Sequence, residues 1–470
     1  MRKHLLALVG LVLLSAISTP MRHDVSAQTS QPLDVEYREV AGRLIGAAMV
    51  DRDGYDKLAY LTTRIGNRLS GSPSLERAVA WVAEQMKADG LENVRQQPVK
   101  VPHWVRGGES ARVVKPVVKT LNILGLGRSI ATPRNGITAP VVVVNNFDEL
   151  EQLGAERIKG KIVLYDAPWQ GYGPTVVYRS TGASRAAKLG AVAALVRSIT
   201  PRSIYTPHTG ALNYDPASPQ IPAAAVTIED AAWIHQMTAM GQDVQVQLQM
   251  DAQTLPDADS ANVIGEIAGR ERPDEVVVVG GHLDSWDVGQ GAHDDGAGIL
   301  AAWRAVTLMK ELGLKPRRTI RVVAWTNEEN GARGGAAYRN ALGGDVGKHV
   351  AAVEMDEGAE RPLGFAYNIN GLAKTDPRVL KATATLREVA RLLEGIGANA
   401  IETGGAETDI GPLMQAGVPG FGLQTVNEHY FDWHHTNADT FDKIDLQDFR
   451  RCIASLAVMA YVLADMPGRL

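Results

Sequence analysis

EVVVVGGHLDSWDVGQGAHDDGAGILAAWRAV, residues 275–306, changes character twice. It opens on four consecutive valines and two glycines, a run with no polar alternation. It closes on a segment that places Ile299, Trp303 and Val306 on one helical face. An unbroken apolar strand followed by a helix belongs in a sheet covered on both sides, the pattern of an α/β protein with a mostly parallel sheet. Between strand and helix, Gly281–Gly298 packs two histidines and four aspartates among glycines. Three readings fit that loop: a solvated turn, a calcium loop or a transition-metal site.

The same grammar continues downstream. TIRVVAW (319–325), HVAAVEM (349–355) and VPGFGL (418–423) are apolar strands with helical patterns before or after them. Acidic and imidazole residues recur beyond their carboxyl ends: His282 and Asp284, then Glu328 and Glu329, then Asp356, then His434 and His435. Ligands of open α/β sheets bind along that edge. Four strand ends that deliver such groups to one edge imply one convergent site. Imidazole and carboxylate without thiolate suit zinc, with manganese or cobalt as substitutes. Asp284, two residues after His282, is expected to hold the other ring N–H of that imidazole, and Asp439 to do the same for His435. The last helix, about 446–464, carries the 12-residue run IASLAVMAYVLA and reads as core, not as a membrane span.

Upstream the pattern differs. Residues 40–100 read as helical, with ERAVAWVAEQMKADG (76–90) the clearest case, and about 101–125 reads as mixed and strand-like. Between 126 and 255, ITAPVVVV, GKIVLYD, AVAALV and IPAAAVTI are short β-like runs with little helix between them, and they imply an inserted β-rich domain. His208 and Tyr214 stand alone there. At the start, MRKH, the 13-residue run LLALVGLVLLSAI and Val25-Ser26-Ala27 form the three regions of a secretory signal peptide, cleaved before Gln28. The expected location is therefore secreted or periplasmic, with no membrane anchor after cleavage. Removing 1–27 takes away a net +2 from a formal −5 and leaves about −7, which argues against nucleic acid or an anionic membrane as partner. The single cysteine, Cys452, allows neither an intrachain disulfide nor a thiolate cluster, and reads as a buried, inert thiol.

GGHLDS, GAHDDGAG, NEENG, EMDEG and HHTNADT resemble, in order and spacing, the cocatalytic di-zinc exopeptidases of the aminopeptidase Y and plasma glutamate carboxypeptidase (carboxypeptidase Q) group. The resemblance runs from about residue 40 to the C-terminus. It includes ERIKGKIVLYD, GAVAALV and IPAAAVTIED, which look like a protease-associated domain. It implies the zinc-exopeptidase fold, so that after the signal peptide at 1–27 residues 28–125 and 256–470 form the peptidase domain and 126–255 the insertion. It implies two zinc ions per chain. His282 and Asp356 would bind one, His435 and Glu329 the other, and Asp294 would bridge both. Glu328 would be the general base, taking a proton from the attacking water and giving it to the leaving amine. A cis peptide after Asp294 and a homodimer are also implied.

Other residues have plainer expectations. His293 and Asp295 are backbone-shaping neighbours, His434 a pocket or packing residue, and Asp287 and Glu357 solvated loop acids. Trp286, Tyr430, Phe431 and Trp433 either line a substrate pocket or pack. Glu407 and Asp409, in GGAETDI, are candidates for contacting the substrate. The leading function is a secreted metal-dependent exopeptidase acting on dipeptides or short peptides, as a dipeptidase, aminopeptidase or carboxypeptidase. The alternatives are a single-zinc acyltransferase like glutaminyl cyclase, and a non-catalytic binding relative.

Overall fold

A computed structural model describes Met1 and residues 31–470, apart from Asn370, Ala406 and Glu407. The leader read at 1–27, beyond Met1, lies outside the described residues, and so does the candidate Glu407. Among the described residues no helix is long and apolar enough to cross a membrane.

The C-terminal half supplies seven strands of an eight-stranded sheet, and Glu92–Val105 the eighth. Its strands run in the order Glu92–Val105, Gln253–Ile267, Arg318–Trp325, Arg272–His282, His349–Glu354, Gly420–Thr425, Pro362–Asn368, Ala400–Thr403. The four central strands, from Arg318–Trp325 to Gly420–Thr425, are mutually parallel, while antiparallel pairs flank them. The valine run serves both faces. Val277 and Val279 join the core that holds Ile299, Trp303 and Leu456, whereas Val276 and Val278 join the one that holds Tyr338 and Leu413. Strand residues alternate sides, so a strand covered twice must be apolar throughout. Helix Ala297–Glu311 is buried from Ala297 to Met309 and packs between the Arg272–His282 strand and helix Leu446–Asp465. Each large side chain sequestered there contributes roughly 1.5–3 kcal/mol. Its first turn sits against the sheet because position 298 is glycine; a Cβ there would collide with the Met355 carbonyl. Cys452 is buried in the last helix, and burial raises its thiol pKa further.

The helical reading of 40–100 fails after Ala88. Pro73–Ala88 is a helix with Ala78, Val79, Val82 and Met86 inward, but Glu92–Val105 is an edge strand. Its first half, ENVRQQPVK, is polar because an edge strand is half solvated, which erased the alternation that marks a strand.

The chain leaves the large sheet at Val105 and re-enters it at Gln253, its cross-strand partner. The segment between forms a second eight-stranded sheet. This sheet draws on residues either side of position 126, since Glu109–Lys115, Lys119–Leu121 and Ile123–Gly125 belong to it. It is not sparse in helix. Phe147–Ile158 and Tyr172–Lys188 pack on one face and Ile228–Ala239 on the other. Tyr172–Lys188 escaped the sequence because its inner face is built from Gly182, Ala183, Ser184, Ala186 and Ala187, which leave no large apolar stripe.

Candidate active site

Register brings the strand ends level. His282 pairs with Trp325, and Gly280 with Glu354, so the residues that follow emerge at one edge. His282 Nε2 lies 3.2 Å from Asp294 Oδ1 and 3.4 Å from Asp356 Oδ1. His435 Nε2 lies 3.2 Å from Asp294 Oδ2 and 3.1 Å from Glu329 Oε2. The two oxygens of one buried carboxylate thus face two different imidazoles. Trp286 N–H donates to Glu329 Oε1 at 3.1 Å, which leaves Oε2 directed at His435. The Asp294–Asp295 peptide is cis.

The supports differ from those expected. His282 Nδ1 donates to the main-chain carbonyl of Asp284 at 2.9 Å, while the Asp284 carboxylate stands 3.8 Å away. That carboxylate accepts instead from the N–H groups of Glu328 (3.0 Å) and Glu329 (3.3 Å). In an extended segment the carbonyl swings towards the ring, and the side chain is freed to hold the neighbouring strand end. Asp439 likewise misses His435. It accepts from the N–H groups of His293 and Asp294, at 2.8 and 3.2 Å, and so fixes the loop that carries Asp294. Asp295 does similar work, accepting from the N–H groups of His282 and Gly298. The ring of His293 accepts from Ala359 N–H and donates to the Lys443 carbonyl, away from the cluster.

Glu328 is half-buried, and with Asp294, Glu329, Asp356 and His435 it lines a cleft of about 380 Å³, within the usual range for small-molecule sites, roughly 300–1,000 Å³. Tyr172, Glu357, Tyr430, Phe431 and His434 complete much of its wall. Glu357 is therefore a cleft residue rather than a solvated one. Asp287 is not solvated either, because Arg106 grips it through Nε at 2.8 Å and Nη2 at 2.5 Å. Trp286 is packing: it is buried with Leu69, Trp104 and Val288 behind His435. Trp433 lies over His293 and His429, off the cleft. Asp409 is fully buried, and neither of its oxygens has a hydrogen-bond partner among the described residues.

The electrostatics call for a cation. Burial raises the pKa of Glu328, and the nearby charges of Asp284 and Asp294 add to it against His282. Burial and mutual repulsion also push Asp295, Glu329 and Glu354 well above the carboxylate range. Asp294 Oδ2 and Asp356 Oδ1 are buried without a hydrogen-bond partner among the described residues. Buried charge of one sign is unfavourable unless a counter-charge joins it. Nitrogen and carboxylate donors in this number fit zinc.

Besides Thr408 and Asn427, the cleft residues missed by sequence reasoning come from the insertion. Tyr172, Arg179 and Ala211 line the cleft, and the Thr209 carbonyl meets His435 Nδ1 at 3.2 Å. No spacing in the sequence links them to the motifs some seventy residues or more downstream.

Comparison with known proteins gives a consistent picture. Residues 262–460 match peptidase family M28. The chain is 42% identical to carboxypeptidase Q of Mus musculus, over 98% of this chain and 97% of that one. It is also 42% identical to carboxypeptidase Q of Homo sapiens, over 95% and 93%. The crystal structure of a peptidase M28 precursor from Shewanella amazonensis SB2B superimposes with a TM-score of 0.88 and 34% identity, covering 93% of this chain and 98% of that one. An aminopeptidase from Aneurinibacillus sp. strain AM-1, 20% identical with a TM-score of 0.66 over 92% and 97%, shares the fold.

Proposed function

The chain belongs to peptidase family M28 and is a metal-dependent exopeptidase; from that premise we propose that it cleaves dipeptides or short peptides using two zinc ions and Glu328 as general base. The observation that carries this reading is Asp294, whose two oxygens each face a separate imidazole at 3.2 Å. His282 and Asp356 would hold one ion and His435 and Glu329 the other, with Asp294 available to both. Bound there, the ions supply Lewis acidity that makes a water nucleophilic near neutral pH and stabilises developing oxyanion charge.

The protein does the rest. Asp284 holds the Glu328 and Glu329 amides, so one carboxylate serves the metal while its neighbour faces the cleft. Glu328 accepts a proton from the attacking water on a carboxylate oxygen and returns it to the departing amine. Tyr172, Tyr430 and Phe431 wall the cleft with rings and exclude water beside the reacting bond. The relatives named carboxypeptidase Q favour release of a C-terminal residue. We place the reaction outside the cytoplasm on the strength of the leader, and read the segment between Val105 and Gln253 as a protease-associated-like insertion.

The test is a hydrolysis panel of free, N-blocked and C-blocked dipeptides, run with and without a chelator. Cleavage of free and N-blocked substrates, lost on chelation and restored by zinc, is expected. Hydrolysis that survives full metal removal refutes the mechanism, and cleavage of only the C-blocked substrate refutes the carboxypeptidase preference.

A further inference from the structure

His435 adopts φ +62°, a backbone conformation that L-residues rarely take. It is clasped by a residue from the other sheet's segment. Thr209 N–H donates to the His435 carbonyl at 3.0 Å, and His435 Nδ1 donates back to the Thr209 carbonyl at 3.2 Å. The Thr209 carbonyl only accepts, so that contact is made with the hydrogen on Nδ1, the tautomer that leaves the Nε2 lone pair facing Asp294 and Glu329; in the other tautomer Nδ1 would accept from Arg179 instead. Thr209 is itself pinned. Arg179 Nη1 donates to the same carbonyl at 3.0 Å and stands 3.3 Å from His435 Nδ1. Arg179 Nη2 donates to Tyr172 Oη at 2.6 Å. The guanidinium lies against Gly210, at φ +136°, where any Cβ would collide with it. From just beyond Val105, Arg106 Nη2 donates to Thr209 Oγ1 at 3.4 Å, and that hydroxyl donates to the Gly125 carbonyl at 2.7 Å. Thr209 and Arg179 are both buried.

We propose that the insertion is a working part of the metal centre, with Arg179 the positioning residue that fixes the Thr209 carbonyl and, through it, the tautomer and direction of His435. The inference rests on the reading of His435 as a metal ligand. Groups that hold a metal-bound imidazole by its second nitrogen typically govern affinity by 10–100-fold. Arg179→Met removes the guanidinium donor and leaves the Thr209 carbonyl only its contact with His435 Nδ1. Arg179→Lys keeps one charge but cannot span Thr209 and Tyr172 together.

The experiment measures zinc affinity by chelator competition on the folded variants, with metal content, KM and kcat recorded in parallel and His435→Ala as control. Arg179→Met should bind one of its two ions about 10–100-fold more weakly, with Arg179→Lys in between. Folding is checked by melting each metal-free protein; if Arg179→Met does not fold, Arg179→Lys carries the test. Zinc affinity within twofold of wild type in the folded variants overturns the proposal, whether KM rises or not, because Arg179 would then serve the substrate or packing alone. If His435→Ala keeps both ions, it is the metal assignment that fails.

Discussion

Replacing Glu328 with glutamine separates the base from the ligands. The amide is nearly isosteric, and the Glu328 N–H that donates to Asp284 Oδ1 at 3.0 Å belongs to the main chain, so the loop should stay in place. No atom of Glu328 is among the contacts that join His282, Asp294, Asp356, Glu329 and His435. Metal content should therefore be unchanged. Removing one carboxylate from a cluster in which Asp284 and Asp294 already raise its pKa should not weaken the metal-free fold. What disappears is proton transfer, typically worth 10²–10⁴-fold, or about 3–5 kcal/mol of barrier at ~1.4 kcal/mol per decade. The assay is steady-state hydrolysis of a free dipeptide at saturating zinc, with metal content determined on the same samples. KM should change little while kcat falls by at least a hundredfold. Turnover within tenfold of wild type, or loss of an ion, refutes the division of roles between Glu328 and Glu329.

Asp284→Asn keeps one oxygen and turns an amide donor towards a buried backbone N–H, at Glu328 or Glu329. Losing one charge-assisted bond should cost about 2–3 kcal/mol in denaturant unfolding and displace Glu328, lowering kcat by roughly 10–100-fold. The ion at His282 should remain, because that ring is held by the Asp284 carbonyl; loss of that ion with unchanged stability would instead place the carboxylate behind the imidazole. His349 offers a pH test remote from the cleft. Burial, then Arg321, lowers its pKa to about 4, against Glu266 and Asp345, and Tyr338 Oη meets its Nε2 at 2.8 Å. A folded pKa below the unfolded 6.5 means that the unfolded chain binds the extra proton between these values. Stability should thus fall as pH drops from about 6.5 towards 4, by roughly 2–3 kcal/mol at pH 4.5. Urea unfolding at pH 7 and 4.5 should show a smaller fall in His349→Gln; equal falls would show that His349 titrates normally in the fold.

The peptidase half was legible because its signals are local. Continuous valines require two covered faces, and a strand flanked by helices requires a crossover, so the parallel centre and the edge that gathers His282, Glu329, Asp356 and His435 follow from patterning alone. The edge strand 92–105 and the helix 172–188 were not legible, and for opposite reasons. Half-solvation removed the apolar alternation of the first, and small residues removed the hydrophobic stripe of the second. Side-chain supports were misread where the backbone had a competing donor or acceptor. Asp284 and Asp439 face N–H groups of folded loops, a choice that depends on which amides the loops present.

The sequence by itself determined which residue types could hold a metal and at which strand ends they stand, since strand period and ligand chemistry are local properties. Only the tertiary structure decided which imidazole each Asp294 oxygen faces, and that a segment more than two hundred residues upstream reaches over to hold His435 through Thr209 and Arg179. Those contacts join backbone and side-chain groups across two sheets, and no periodicity along the chain encodes a hydrogen bond that exists only once both sheets have formed.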